Sequence, residues 1–428
     1  MDFFPKSKDY ARSGTIGRIV ANNCRRSIWR MVVLSSIMTA VALVLALPTL
    51  IYGAEVLAGL AMRKRSEQLP SQRPDVTVLV PAHNEEGGIS ATLRSIGNQL
   101  RPSDRLLVIA DNCSDNTASL ARAGGAEVIV RHDDNRRGKG YALDAGIRHL
   151  AEAPTPIVIF VDADCQLEDG AVALLAATAA MNQRPVQACY LIKAPAGAAL
   201  QLRVAEFAFI VKNKLRPLGL SALGLPCQLT GSGMAFPWSV IRQVDLATGH
   251  LVEDMKLGLD LARAGHPPMF CAAAGIASEF PQSSSGTASQ RRRWEEGHLK
   301  MIKVALQTLS SPAVLRTPAL AALALDLLVP PLTLLLLLLV GAFILAAGLS
   351  ALTGSSTALF FSGLNLALFA LASLAAWAAV GRTVLPARDF GQIPLYVLRK
   401  LSLYPKVLFA RTSSAWIRTD RSRQDDKP

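Results

Sequence analysis

Ile157-Val158-Ile159-Phe160-Val161-Asp162-Ala163-Asp164 is the stretch whose reading decides the fold. A run of apolar, mostly β-branched residues is expected to form a strand buried on both faces, as in the middle of a parallel sheet. Two carboxylates one residue apart then follow at once. An unpaired buried charge costs several kcal/mol, so carboxylates at the end of a buried strand imply something positive beside them. In open α/β sheets ligands sit just beyond the carboxyl ends of strands. A hard divalent cation held by one or two carboxylates and by substrate phosphates suits that position. Taken alone, Asp162 and Asp164 fit equally well as caps of a helix beginning near Leu167.

Working outward, short apolar runs alternate with helical spacing from Asp75 to about Leu309. Strands are expected at Val76–Val80, Leu106–Ala110, Val128–Val130, Pro156–Val161 and Val186–Leu191. Between the first two, Ile89, Leu93, Ile96 and Leu100 recur at helical intervals. Strands interleaved with helices imply βαβ units, hence a parallel sheet with right-handed crossovers. Residues 75–310 therefore read as one α/β domain.

The flanks are apolar or basic. Met31 to Ala54 carries no charge and is long enough to cross a bilayer at about 20 residues per crossing. Segment 31–62 is taken as one span; a hairpin kinked at Pro48 would leave each arm too short. Arg63-Lys64-Arg65 belongs on the cytoplasmic side, although Arg25, Arg26 and Arg30 on the other flank weaken that orientation. Within segment 318–381, Leu327 to Gly381 has no charged residue, and Gly354-Ser355-Ser356 divides it into two further spans. The tails, 1–30 and 386–428, are basic; the latter mixes Phe390, Tyr396, Tyr404, Phe409 and Trp416 with Arg399, Lys400, Lys406, Arg411 and Arg418, as suits an amphipathic stretch on anionic lipid. With 51% hydrophobic residues and a net charge of +13, the chain reads as a partner of anionic lipid or phosphate-bearing substrates and not of nucleic acid. Six cysteines lack any zinc-type spacing and read as free thiols in a reducing compartment. No cleavable signal peptide is expected, since the first apolar run begins only near Met31 and lacks a small-residue cleavage site.

Several polar motifs fall where strands end. The first strand runs into Pro81-Ala82-His83-Asn84-Glu85-Glu86, and the second into Asp111-Asn112-Cys113-Ser114-Asp115-Asn116-Thr117. Asp111 directly follows a buried strand and can face a ligand; Ser114 and Asp115 read better as helix caps. Gly138-Lys139-Gly140 opens a helix and offers a weak phosphate site, while the GxxxxGK[ST] loop of ATPases is missing. Asp254, after Thr230-Gly231-Ser232-Gly233-Met234 and within Val252-Glu253-Asp254, is placed as a general base; by itself it fits better as a first-turn acid favoured by the helix dipole. Gln290-Arg291-Arg292-Arg293-Trp294 is either a solvated basic run or a site where arginine meets diphosphate and tryptophan meets a sugar ring.

DNCSDNT, the strand ending in DAD, GSGM, VED and QRRRW, in this order, resemble the membrane-embedded glycosyltransferase family 2 enzymes, among them cellulose, chitin and hyaluronan synthases and bacterial exopolysaccharide transferases. The likeness covers residues 75–310. It implies a GT-A fold (Rossmann-like), a nucleotide-sugar donor, most often a UDP-sugar, Mg2+ or Mn2+, and inversion at the anomeric carbon to give a β-linkage. By position it assigns Asp111 to the nucleotide base, Lys139 to the nucleotide, Asp162 to the nucleotide sugar or the metal, and Asp164 to metal and diphosphate. Asn84 and Glu85 join the donor-binding set. Asp254 would deprotonate the acceptor hydroxyl, and Gln290, Arg293 and Trp294 would close over diphosphate and acceptor. Ser232 and Gly233 match an acceptor-side loop.

The resulting expectation is an inverting enzyme of the bacterial inner membrane, multi-pass, with its catalytic domain in the cytoplasm. It would move a sugar onto a membrane-associated acceptor such as a polyprenyl-diphosphate-linked oligosaccharide. About three spans are few for a polymer channel, so a processive β-glycan synthase is the alternative. A ceramide-type glycolipid transferase and a non-catalytic membrane scaffold stand behind it.

Overall fold

The computed structural model describes residues 8–62, 69–70, 72–247, 252–281 and 283–401. The chain divides into two compact units, residues 1–50 with 333–371 and residues 51–332 with 372–428.

The larger unit holds one eight-stranded sheet: β1 (Val76–Ala82), β2 (Arg105–Asp111), β3 (Glu127–Arg131), β4 (Ile157–Phe160), β5 (Gln166–Leu167), β6 (Val186–Lys193), β7 (Met234–Pro237) and β8 (Met269–Glu279), in spatial order β3-β2-β1-β4-β7-β6-β8-β5. The helices in chain order are α1 (Lys8–Ala61), α2 (Ile89–Gly97), α3 (Thr117–Ala123), α4 (Lys139–Leu150), α5 (Ala171–Asn182), α6 (Leu200–Ile210), α7 (Arg216–Ala222), α8 (Trp238–Ile241), α9 (Glu253–Arg263), α10 (Ser284–Leu309), α11 (Ala313–Arg316), α12 (Pro318–Leu327), α13 (Leu332–Thr353), α14 (Thr357–Ala376) and α15 (Ile393–Leu401). A π-turn, Val211–Leu215, joins α6 to α7.

β1 is the hinge of the parallel half. Val78 pairs with Leu106 of β2 on one side and with Ile159 of β4 on the other, so β1, β2 and β4 all end at one rim. Alternate residues of these strands feed opposite faces. Val78, Val80, Val108 and Ile159 pack with Ile89, Leu93 and Ile96 of α2, whereas Leu79, Leu107, Ile109 and Phe160 pack with Leu143 and Ile147 of α4. With both faces covered, β4 carries no polar residue.

Beyond β4 the sheet departs from the all-parallel expectation. β7 runs antiparallel to both β4 and β6, and β5 antiparallel to β8, giving a mixed sheet. Met234–Pro237 is four apolar residues with no period to betray it, and the Thr230–Gly233 turn sends it back along β4. The cap reading of Asp162 and Asp164 also falls: no helix begins near Leu167, which lies in β5, and α5 starts at Ala171 after Gly170 in a left-handed conformation.

Three helices among the described residues are long and apolar enough to cross a membrane: Trp29–Ala61, Leu332–Thr353 and Thr357–Gly381. Pro48 sits inside α1 without ending it, and Gly354, at φ +73°, stops α13 before α14. Residues 318–327 form the separate short helix α12. In the smaller unit, the Asn365 amide donates to the Ala42 carbonyl at 2.7 Å. Arg63-Lys64-Arg65 and the tail from Ser402, with Tyr404, Phe409 and Trp416, lie outside the described residues.

Candidate active site

Two loops at the rim are stapled to each other. The Asn84 side chain accepts from the Ser114 backbone N–H at 2.7 Å, and the Glu85 N–H donates to the Thr117 hydroxyl at 2.7 Å. Asn84 and Asn112 take positive φ values of 54° and 52°, which asparagine tolerates better than most residues. Asp115 accepts from the Thr117 N–H at 3.0 Å, but the N-cap of α3 is Asn116, so neither Ser114 nor Asp115 takes the cap position expected for them. Asp111 is buried, and its carboxylate receives Arg131 at 2.6 Å from the end of β3. The Arg131 guanidinium lies 5.8 Å from the centre of the Tyr141 ring. Arg131 therefore holds Asp111 as a fixed acceptor beside an aromatic face. The sequence reading missed both Arg131 and Tyr141, although a cation at the end of a strand next to Asp111 was a usable signal.

The second cluster gathers around Gly231. Lys139, the first residue of α4, pairs with Asp162 and donates to the Gly231 carbonyl at 2.6 Å. Gly231 has a φ of +90°, and a methyl group placed there would sit 3.3 Å from Asp254 Oδ2, 3.5 Å from Lys139 Nζ and 3.9 Å from Asp162 Oδ2. Residues from α4, the end of β4 and α9 thus meet about a single glycine. Burial works against the Lys139 ammonium, but the carboxylates of Asp162, Glu253 and Asp254 more than offset it and raise its pKa. Asp254 is half-buried yet closely surrounded by protein. Burial raises its pKa above the ordinary carboxyl value, while Lys139, the Met255 N–H and Lys212 pull the other way. Its neighbour Glu253 is raised for the same reason, with added repulsion from Asp254.

A buried amide holds this turn in place. The Gln187 side chain on β6 accepts from the Thr230 N–H at 2.8 Å and donates to the Ser232 carbonyl at 2.9 Å. The Ser232 hydroxyl in turn accepts from the Asp162 N–H at 3.1 Å. Gly233, at φ +70°, leaves no room for a Cβ against Ile276 and Ala188. Gln187 was also missed; a lone amide inside the apolar run Val186-Gln187-Ala188-Cys189-Tyr190 was its signal.

Asp162, Asp164 and Cys165 each bring a possible ligand atom within 4.8 Å of the others. The two carboxylates are half-buried and supply hard oxygen donors of the kind Mg2+ and Mn2+ take. Cys165 is fully buried, and burial pushes its thiol pKa well up, so it is a poor ligand for such an ion. The residues present fit a hard divalent cation.

α10 brings the remaining motif. Gln290 is buried; Arg293 and Trp294 are half-buried. The Trp294 ring centre is 5.6 Å from that of Phe209 on α6, which meets Tyr190 edge-on at 6.0 Å. One turn on, Gly297 abuts Val252, the residue before α9, so the helix carrying Trp294 packs against the start of the helix carrying Asp254.

This order of motifs on this sheet has a counterpart among known proteins. Residues 74–297, more than half of the chain, match the family described as glycosyltransferase like family 2. The chain belongs to that family. A probable glycosyltransferase YdaM of Bacillus subtilis (strain 168) is 28% identical over 239 residues, covering 53% of this chain and 55% of the relative. A 4,4'-diaponeurosporenoate glycosyltransferase of Staphylococcus haemolyticus is 26% identical over 236 residues, covering 51% of this chain and 58% of the relative. The chain spans little more than half the length of these relatives. Among solved structures, a mannosyltransferase from Pyrobaculum calidifontis, in complex with GDP-Man and Mn2+, superposes with a TM-score of 0.53 at 19% identity, covering 88% of this chain and 100% of that one. That likeness shows the fold, which is GT-A, as expected.

Proposed function

We propose that this family 2 protein moves a sugar from a nucleotide-diphosphate donor, a UDP-sugar in our reading, to a hydroxyl of a membrane-associated acceptor, with inversion. The observation that carries the proposal is the meeting of Asp254 with the Lys139–Asp162 pair about Gly231. In-line substitution needs a base near the attacking hydroxyl as well as positive charge at the leaving group, and the convergence of Asp254 with Lys139 and Asp162 supports both roles in one place. Asp111, held in place by Arg131, accepts an N–H from the nucleotide base, and the Asn84 and Glu85 loop closes the same end of the cleft. Asp162 and Asp164 would hold Mg2+ or Mn2+, which neutralises charge developing on the departing diphosphate. Lys139 and Arg293 add cationic charge at the same place. Asp254 takes the proton of the attacking hydroxyl. Gln290 and Trp294 line the acceptor side, the indole offering a flat apolar face to a sugar ring.

The Mn2+ and GDP-Man of the Pyrobaculum protein support the donor and metal classes, and the three apolar helices support a membrane-borne acceptor. A polyprenyl-diphosphate-linked oligosaccharide at the bacterial inner membrane, met from the cytoplasmic side, is the acceptor we favour. The test is to offer the purified protein a panel of nucleotide sugars and follow nucleotide diphosphate release, with EDTA and then added Mn2+ or Mg2+. Release from one donor, stopped by EDTA and restored by the ion, is the expected result; no release from any donor would overturn the reading.

A further inference from the structure

Tyr190 on β6, Phe209 on α6 and Trp294 on α10 form one column of rings, so three elements far apart in the chain meet there. The Phe209 ring centre lies 6.0 Å from that of Tyr190, edge-on, and 5.6 Å from that of Trp294, tilted by 46°. At such separations aromatic pairs attract beyond their apolar contact. The foot of the column is fixed. Tyr190 is buried, its carbonyl accepts from the Asn213 amide at 3.2 Å, and its hydroxyl bonds that of Ser278 at 2.9 Å. It shares a buried cluster with Cys165, whose thiol donates to Asp164 Oδ1 at 3.6 Å.

Phe209 stands on a helix that core burial does not hold, since α6 is largely apolar yet none of its residues is buried. It is fastened at points instead. Glu206 accepts from the Ala194 N–H at 2.9 Å, and Arg203 pairs with Asp389 at 2.7 Å. The Phe207 ring occupies the space beside Gly381, where a Cβ would lie 2.7 Å from it. The π-turn Val211–Leu215 that follows α6 is tied to Tyr190 by Asn213. A π-turn adds one residue to a helix and re-aims the side chains around it, and such turns recur at functional sites. At the top of the column, the Trp294 indole N–H makes no hydrogen bond among the described residues, so Phe209 is what its ring leans on.

We propose that Phe209 is a positioning residue for Trp294, setting the indole against the acceptor sugar and tying it, through Tyr190, to the loop of Asp164 and Cys165. This role rests on the transfer reading above and adds a residue outside the QRRRW stretch on which acceptor use depends. Phe209 touches no substrate and acts through Trp294. Its loss weakens acceptor use and spares the donor side.

The test uses the full chain in phosphatidylcholine nanodiscs, with a panel of dodecyl β-glycosides as sugar-bearing probes and nucleotide diphosphate release as the readout. With donor saturating, Phe209→Ala should raise the glycoside KM by about three- to tenfold, the scale of one lost aromatic pair. Release without glycoside, which reports on the donor side only, should stay within about twofold. Phe209→Tyr keeps a ring and should hold the KM within about twofold of wild type. Trp294→Ala should raise the KM too, and the double variant with Phe209→Ala should be no worse than Trp294→Ala, because a residue that acts through another adds nothing once that one is gone. A packing role would multiply the two effects. Trp294 emission, taken as the difference between each chain and its Trp294→Phe counterpart, should move to longer wavelength in Phe209→Ala. A wild-type KM in Phe209→Ala would overturn the proposal, as would multiplied effects in the double variant or a wild type whose release no glycoside stimulates. Donor-dependent release stays measurable in all three cases, so the positioning role can fail while the transfer reading stands. Glycosides that shift Trp294 emission without release from any donor would be the reverse.

Discussion

Replacing Gln187 by leucine removes a side chain that touches no substrate, yet it should disable the site. The leucine fills a similar volume but leaves the Thr230 N–H and the Ser232 carbonyl, both bonded at 2.8–2.9 Å, without partners inside the protein. A buried polar group left unpaired costs about 1–3 kcal/mol, so the two together amount to about 2–6 kcal/mol. That sum can be relieved only if the turn moves, and the turn carries Gly231, about which Asp254, Lys139 and Asp162 meet. A shift of about 1 Å at reacting groups costs on the order of 100-fold in rate. Gln187→Glu sharpens the test. It can still accept from Thr230, but its second oxygen would face the carbonyls of Ser232 and Ala188 and repel them. Thermal unfolding in detergent and the rate of nucleotide diphosphate release are the measurements. Both variants should lose about 100-fold in kcat; wild-type kcat in both would refute the link between this amide and the site.

Arg216→Ala leaves Glu55 and Asp326 buried without their cation, so about 3–5 kcal/mol of stability should be lost, seen as a lower unfolding temperature or poor recovery from the membrane. Gly233→Val combines a φ of +70° with overlap against Ile276 and Ala188 and should cost at least about 2 kcal/mol, measured the same way. Asp254 acts as a base only when ionised, and its pKa stands above the ordinary 3.8, so kcat/KM should fall as pH drops through a point above that value. The same raised pKa means the folded protein holds that proton more tightly than the unfolded chain. The carboxyl's contribution to stability is thus present at low pH and lost as pH rises through the folded pKa. An acid limb at or below pH 3.8 would contradict the assignment.

The parallel half of the sheet was readable because β1, β2 and β4 are buried on both faces and so appear as mostly apolar runs. Their carboxyl ends could then be placed on one rim, which located Asp111 and Asp162. The antiparallel β7 was not readable, since four residues have no periodicity and their direction follows from a turn set by two glycines at positive φ. Asp254 could be nominated only as one of two first-turn acids; its meeting with Lys139 and Asp162 depends on long-range packing about Gly231. Arg131 and Gln187 act through partners 20 to 45 residues away, so spacing along the chain could not reveal them.

The most direct measurement is on Asp254→Asn, which keeps the side chain's size and removes its ability to take a proton. Donor binding, followed by titration with the nucleotide sugar that the wild type consumes, should stay within about threefold, while transfer to acceptor falls by at least about 100-fold, the range typical for losing a general base. Transfer at the wild-type rate in this variant would contradict the claim that Asp254 primes the attacking hydroxyl.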